Sequence, residues 1–202
     1  QTHQTETLWV LDIATGTSTP LTTEGEVLSA CWHPGGQYVT FAWQGPGEPR
    51  NLYRIRADGS EKMQRLTTSP NMQYVGSWSP DGSALAFGES SPTGSHIQIY
   101  RPHDRSVTPY FDSTFNEGYP EFSPDGRWVL FTSNRSGSDQ VYVRPFPGPG
   151  PMVPVSTIDR AWQPFWARSG RQIFFQRHYT ELWTADVIST GPEFKVGRPR
   201  LL

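Results

Sequence analysis

Four stretches of the chain are apolar almost without a break: Tyr38-Val39-Thr40-Phe41-Ala42-Trp43, Ala84-Leu85-Ala86-Phe87, Trp128-Val129-Leu130-Phe131 and Ile173-Phe174-Phe175. Runs this short, bounded by turn residues, predict strands buried on both faces. Downstream of each, apolar and polar positions alternate with period two, in Leu52-Tyr53-Arg54-Ile55-Arg56, Ile97-Gln98-Ile99-Tyr100, Val141-Tyr142-Val143-Arg144 and Leu182-Trp183-Thr184-Ala185. That alternation predicts half-buried strands. A more polar segment closes each unit, as at 63–68 and 152–156. No segment holds a 3.6-residue period over ten positions, so the pattern predicts an all-β protein.

The pattern repeats. Each apolar run follows an aromatic residue and a turn: Trp32-His33-Pro34-Gly35-Gly36, Trp78-Ser79-Pro80-Asp81-Gly82, Phe122-Ser123-Pro124-Asp125-Gly126 and Trp166-Ala167-Arg168-Ser169-Gly170. The aromatics are spaced by 46, 44 and 44 residues. A period in the mid-forties is the length of a four-stranded propeller blade. Pro presets φ in the first three turns, and Gly36, Gly82, Gly126 and Gly170 supply the positive φ that closes each hairpin. Asp81 and Asp125 are expected to fold the turn through side-chain to backbone bonds, and the four aromatics to wedge between blades. The expectation is a single β-propeller of four-stranded antiparallel blades at 27–69, 73–113, 117–159 and 161–202, the last strand running from 194 to 202. A half blade at 8–25 precedes them. Four and a half blades do not close a ring. The count therefore predicts part of a larger propeller, or a homo-oligomer completed through its open blade faces.

Composition narrows the function classes. The 202 residues carry 17 basic and 19 acidic side chains, a net charge of −2, which argues against a nucleic-acid partner. No apolar run approaches the ~20 residues of a membrane span, so no membrane contact is expected of this segment. The 19 glycines and 19 prolines suit short strands and tight turns. Cys31 stands alone, and its place one residue before a blade aromatic predicts a buried thiol rather than a nucleophile.

The stretches Trp78-Ser79-Pro80-Asp81-Gly82 and Phe122-Ser123-Pro124-Asp125-Gly126, each followed by an apolar run, resemble the TolB-like, WD40-like (PD40) propeller repeat. A narrower likeness lies in Gln140-Val141-Tyr142-Val143-Arg144-Pro145-Phe146-Pro147-Gly148 and in the ending Gly197-Arg198-Pro199-Arg200-Leu201-Leu202. That order is similar to the C-terminal extracytoplasmic propeller of bacterial transmembrane Ser/Thr protein kinases. The resemblance implies a bacterial, extracytoplasmic module that binds or senses a protein or a small-molecule ligand. It carries no kinase activity, because neither a Gly-rich phosphate loop nor a catalytic Asp triplet is present.

In such a propeller the loops entering each inner strand gather at one mouth with those joining the second and third strands. Glu26, Gln73, Glu117 and Arg160 fall five or six positions before the blade aromatic, and Asn71, Asn116 and Asp159 stand close by. Gln73, Asn116 and Arg160 are the expected ligand-binding residues. Glu26, Glu117, Asn71 and Asp159 have the oxygen chemistry that Ca²⁺ accepts. That set supports the alternative of a calcium-dependent hydrolase of the lactonase or phosphotriesterase type, with His178 as its base or ligand. The other histidines show no zinc spacing, and no nucleophile elbow is present.

Overall fold

The computed structural model describes residues 6–202. Among them it contains strands and turns and no helix. A two-stranded half blade, β1 (Trp9–Leu11) and β2 (Ser18–Pro20), opens the chain. Blade 1 comprises β3 (Glu26–Trp32), β4 (Tyr38–Gln44), β5 (Asn51–Arg56) and β6 (Gln64–Arg65). Blade 2 comprises β7 (Met72–Trp78), β8 (Leu85–Ser91), β9 (Gly94–Arg101) and β10 (Ser106–Pro109). Blade 3 comprises β11 (Glu117–Phe122), β12 (Trp128–Ser133), β13 (Gln140–Pro145) and β14 (Val153–Pro154). Blade 4 comprises β15 (Ala161–Trp166), β16 (Gln172–Arg177) and the ten-residue β17 (Glu181–Thr190), followed by β18 (Phe194–Val196) and β19 (Arg200–Leu201). Both β18 and β19 pair with β17, so the expected single last strand is broken at Gly197-Arg198-Pro199. Proline cannot donate to the ladder, and the edge is interrupted there.

The turn chemistry follows the sequence. Asp81 Oδ1 accepts from Ser83 N at 3.0 Å and from Ser79 Oγ at 2.6 Å. Asp125 Oδ1 repeats this with Arg127 N at 3.1 Å and Ser123 Oγ at 2.6 Å. Hydrogen bonds from Ser79 hold the Asp81 carboxyl below its ordinary value. Gly36, Gly82, Gly126 and Gly170 all adopt φ between 68° and 72°, where a side chain is strained. His33 takes the Ser position of its turn, accepting from Gly35 N at 3.1 Å, and its ring packs 4.9 Å from Trp78.

The core lies between blades. Phe41, Phe87, Phe131 and Phe175 occupy one position of the second strand in successive blades, and all four are fully buried. Each such burial contributes about 1.5–3 kcal/mol. The blade aromatic leans on the blade before it: Trp78 joins Ala42 and Leu52 of blade 1 in one cluster and donates its indole N–H to Thr40 Oγ1 at 3.1 Å. The residue just before the aromatic faces the blade after it. Cys31 accepts the backbone N–H of Trp78, Ser77 Oγ that of Phe122 at 2.7 Å, and Glu121 Oε2 that of Trp166 at 2.9 Å.

This polarity explains where the sequence expectation fails. Trp78, Phe122 and Trp166 are 7%, 5% and 6% exposed, but Trp32 is 53% exposed. Among the described residues the half blade before Trp32 has β1 and β2, and Leu8, Val10 and Leu21 in and beside them cluster with Val27, Phe41, Tyr53 and Ile55 of blade 1. With no inner strands ahead of it among the described residues, Trp32 lies on an open face with Leu28, 50% exposed. At the other end Phe165, 42% exposed, stacks on Phe174.

Candidate functional site

Each inner strand carries a one-residue bulge, between Val27 and Ser29, Val75 and Ser77, Gly118 and Glu121, and Trp162 and Phe165. Before the bulge the register is the same in every blade: Val27 pairs with Trp43, Gln73 with Glu89, Glu117 with Ser133 and Ala161 with Arg177. The equivalent positions at the mouth are therefore Val27, Gln73, Glu117 and Ala161. Glu26 and Arg160 lie one residue earlier, and successive strand residues point to opposite faces. Val27 and Ala161 are buried, while Arg160 is exposed.

Gln73 sits at the seam of blades 1 and 2 and is 1% exposed. Its Oε1 accepts from Thr67 Oγ1 at 2.5 Å, and its Nε2 donates to Glu89 Oε2 at 2.7 Å. Asn71 Nδ2 donates to the other Glu89 oxygen at 3.2 Å. Thr67 Oγ1 also accepts from Leu52 N at 3.0 Å. Glu26 approaches Arg50 to 4.0 Å, and Arg50 lies over the Tyr74 ring at 5.5 Å.

Glu117 holds blades 2 and 3 together. Its Oε1 accepts from Ser113 Oγ at 2.6 Å and Ser133 Oγ at 3.2 Å, and His96 Nδ1 of blade 2 stands 3.5 Å from Oε2. The carboxylate is 1% exposed and shielded by Arg135 at 3.9 Å, as a buried charge requires. Asn116 Oδ1 accepts from Ser95 N at 3.0 Å, and its backbone N–H donates to Asn134 Oδ1 at 3.0 Å. A side chain at Gly94 would lie 2.8 Å from Asn116 Oδ1, so this contact needs glycine.

At the seam of blades 3 and 4, Asp159 pairs with Arg177 at 2.9 Å, a bond that holds its carboxyl below the ordinary value. Arg177 also reaches Glu181 at 3.4 Å. Arg160 and His178 instead border a cavity of about 350 Å³ with Asp139, Trp162 and Tyr179.

The oxygen donors Glu26, Glu117, Asn71 and Asp159 thus sit at three different seams, each engaged by a protein partner. Among the described residues no group of three His, Cys, Asp or Glu side chains converges as a metal site would require. Glu89, which binds both Gln73 and Asn71, was missed by sequence. Its signal is its place two residues after the buried Phe87, where the other blades have Trp43, Ser133 and Arg177. Trp162 and Tyr179 were missed as well. Burial pushes the Cys31 thiol up to about 12.

No protein-family model matches the chain. A curated relative, the uncharacterized peptidase YuxL of Bacillus subtilis, is 25% identical over 173 residues, covering 67% of this chain and 26% of its own length. The chain spans about a quarter of the length of this and another curated relative. Among solved structures, putative TolB from Agrobacterium tumefaciens superposes with a TM-score of 0.76 at 17% identity, over 96% of this chain and 74% of that one. TolB from Acinetobacter baumannii gives 0.76 at 20% identity, over 94% and 48%. A nidogen/laminin complex chain gives 0.71 at 10% identity, over 96% and 75%. The chain has the fold of the TolB β-propeller.

Proposed function

We propose that this propeller is a recognition module, binding a protein or a small molecule at its mouth face. One observation carries this. The polar groups of the inner strands, the buried Gln73 and Glu117 with the half-buried Glu89 and the exposed Asn116, are engaged in hydrogen bonds within and between neighbouring blades, while Arg160, Tyr179 and Trp162 are left accessible at the rim. That division suits a rigid surface that presents side chains rather than a reaction centre. The nidogen/laminin complex, a protein assembly containing the same kind of fold, supports the same direction. The propeller works outside the cytoplasm of a bacterium, as the TolB and kinase-propeller likenesses suggest. Its open faces at Leu28 and Trp32, and at Phe165, repeat surfaces that are buried between blades elsewhere in the chain, so a second copy covers them. Light scattering showing a monomer at micromolar concentration sinks this last point.

The test is a thermal-shift screen against peptides, nucleotides and saccharides, repeated with Arg160→Ala and Tyr179→Ala. Binding lost in these variants and kept in Trp32→Ala places recognition at the mouth. Turnover of chromogenic ester or phosphotriester substrates that stops on adding EDTA overturns the proposal in favour of the hydrolase.

A further inference from the structure

Three independent features meet where blades 3 and 4 reach the mouth. The first is the cavity of about 350 Å³ itself, near the small end of ligand pockets. Its aromatic wall continues onto Tyr119. The Tyr119 ring lies 5.7 Å from Trp162 at 75°, and the Tyr179 ring 4.2 Å from Trp162 at 68°. Tyr119 is 48% exposed and Tyr179 78%.

The second feature is backbone strain. Six non-glycine residues among those described have positive φ, and five of them, Tyr119, Arg160, Gln163, His178 and Tyr179, belong to this corner. His178 and Tyr179 are the central residues of the hairpin turn between β16 and β17, where Thr180 N donates to Arg177 O at 3.3 Å, and Tyr119 and Gln163 sit at the bulges of β11 and β15, so the backbone fixes where these side chains stand.

The third is unspent hydrogen bonding. Six of the eight tryptophans donate their indole N–H within the protein. Trp32 and Trp162 do not, among the described residues. Trp32 lies on the open face, whereas the Trp162 side chain lines the cavity. The Asp139 carboxylate and the Arg160 guanidinium, also in the lining, have no side-chain partner among the described residues either.

We propose that this corner binds a neutral saccharide of one or two rings. A pyranose presents a C–H face that packs on aromatic rings and hydroxyls that both donate and accept. Asp139 accepts, Arg160 and the Trp162 indole donate, and His178 does either. The two opposite charges select against ions. A quaternary ammonium gains from the rings and Asp139 but meets Arg160, and a phosphate meets the converse. A neutral polyol uses both groups.

This inference rests on the mouth-face proposal and adds the ligand class. Maltose, cellobiose and N,N′-diacetylchitobiose are titrated into the full chain by saturation-transfer NMR and calorimetry. At least one saturates with a Kd of about 1 mM. Trp162→Ala and the more exposed Tyr179→Ala each weaken it at least about tenfold, and Trp32→Ala leaves it unchanged. Absence of saturation by all three sugars overturns the proposal. So does saturation by glycine betaine or inorganic phosphate in their place, or sugar binding that survives both variants. If sugars fail while a peptide or nucleotide from the preceding screen still depends on Tyr179, only the ligand class falls. If the variants matter to no ligand, the mouth-face proposal falls too.

Discussion

Glu121 offers a test of how the blades are stacked. Its position, one residue before the blade aromatic, is filled by Cys31 and Ser77 in the preceding blades, and all three accept the next blade's backbone N–H. Glu121 alone brings a carboxyl group into the seam. Desolvation raises its carboxyl from the ordinary 4.5 to about 7, with the Trp166 N–H opposing the rise. A carboxyl whose folded value is raised binds its proton more tightly in the native state. Its contribution to stability is therefore fully present below about pH 4.5 and is lost as pH rises through about 7. The rise from 4.5 to about 7 corresponds to about 3.4 kcal/mol over the whole window, and to about 2.5 kcal/mol between pH 5 and pH 8. Glu121→Gln keeps an oxygen for the Trp166 N–H and cannot ionise. Relative to the parent, the variant gains about 2.5 kcal/mol between pH 5 and pH 8, seen as about 5–10 °C in Tm by tryptophan fluorescence or calorimetry. Taking the difference between the two proteins cancels the other titrating groups. A difference that stays flat across this range, or a variant less stable at pH 8 than the parent, refutes the assignment of Glu121 to a desolvated seam.

Further outcomes follow from packing and hydrogen bonding. Phe131→Ala, at a fully buried position, costs about 3–5 kcal/mol in urea unfolding, whereas Trp32→Ala, on the open face, costs far less. Gln73→Leu strands the buried Thr67 hydroxyl and one Glu89 oxygen, lowering stability by about 1–3 kcal/mol in the same assay. Gly82→Ala places a Cβ 2.8 Å from His33 Nε2 at φ 71°, and lowers Tm by several degrees, about 1 kcal/mol or more. Cys31, with its thiol at about 12, resists a thiol reagent in the native protein at pH 8 and reacts promptly once unfolded.

What the sequence determined by itself is the blade. Its strands, its hairpin turns and its buried phenylalanines are set by contacts between residues close in the chain, and a period-two pattern with Pro-Asp-Gly punctuation carries that information. The repeat spacing also marks the four larger sheets, and the short segment before them pairs as two strands. Tertiary structure decided everything that depends on which blade stands next to which. Trp32 has the same local sequence setting as Trp78, yet only Trp78 has inner strands to lean on. Glu26 and Arg160 lie one residue before Val27 and Ala161, which share the register of Gln73 and Glu117, an offset that a count of five or six residues back from the aromatic does not resolve. Glu89 is marked only by its offset from Phe87, and the contacts of Trp162 and Tyr179 lie with residues on other strands and loops that no local pattern marks. Local periodicity specifies one blade at a time, while the mouth is assembled from the edges of several. A single bulge or one-residue offset there decides whether a side chain is buried between blades or exposed at the mouth.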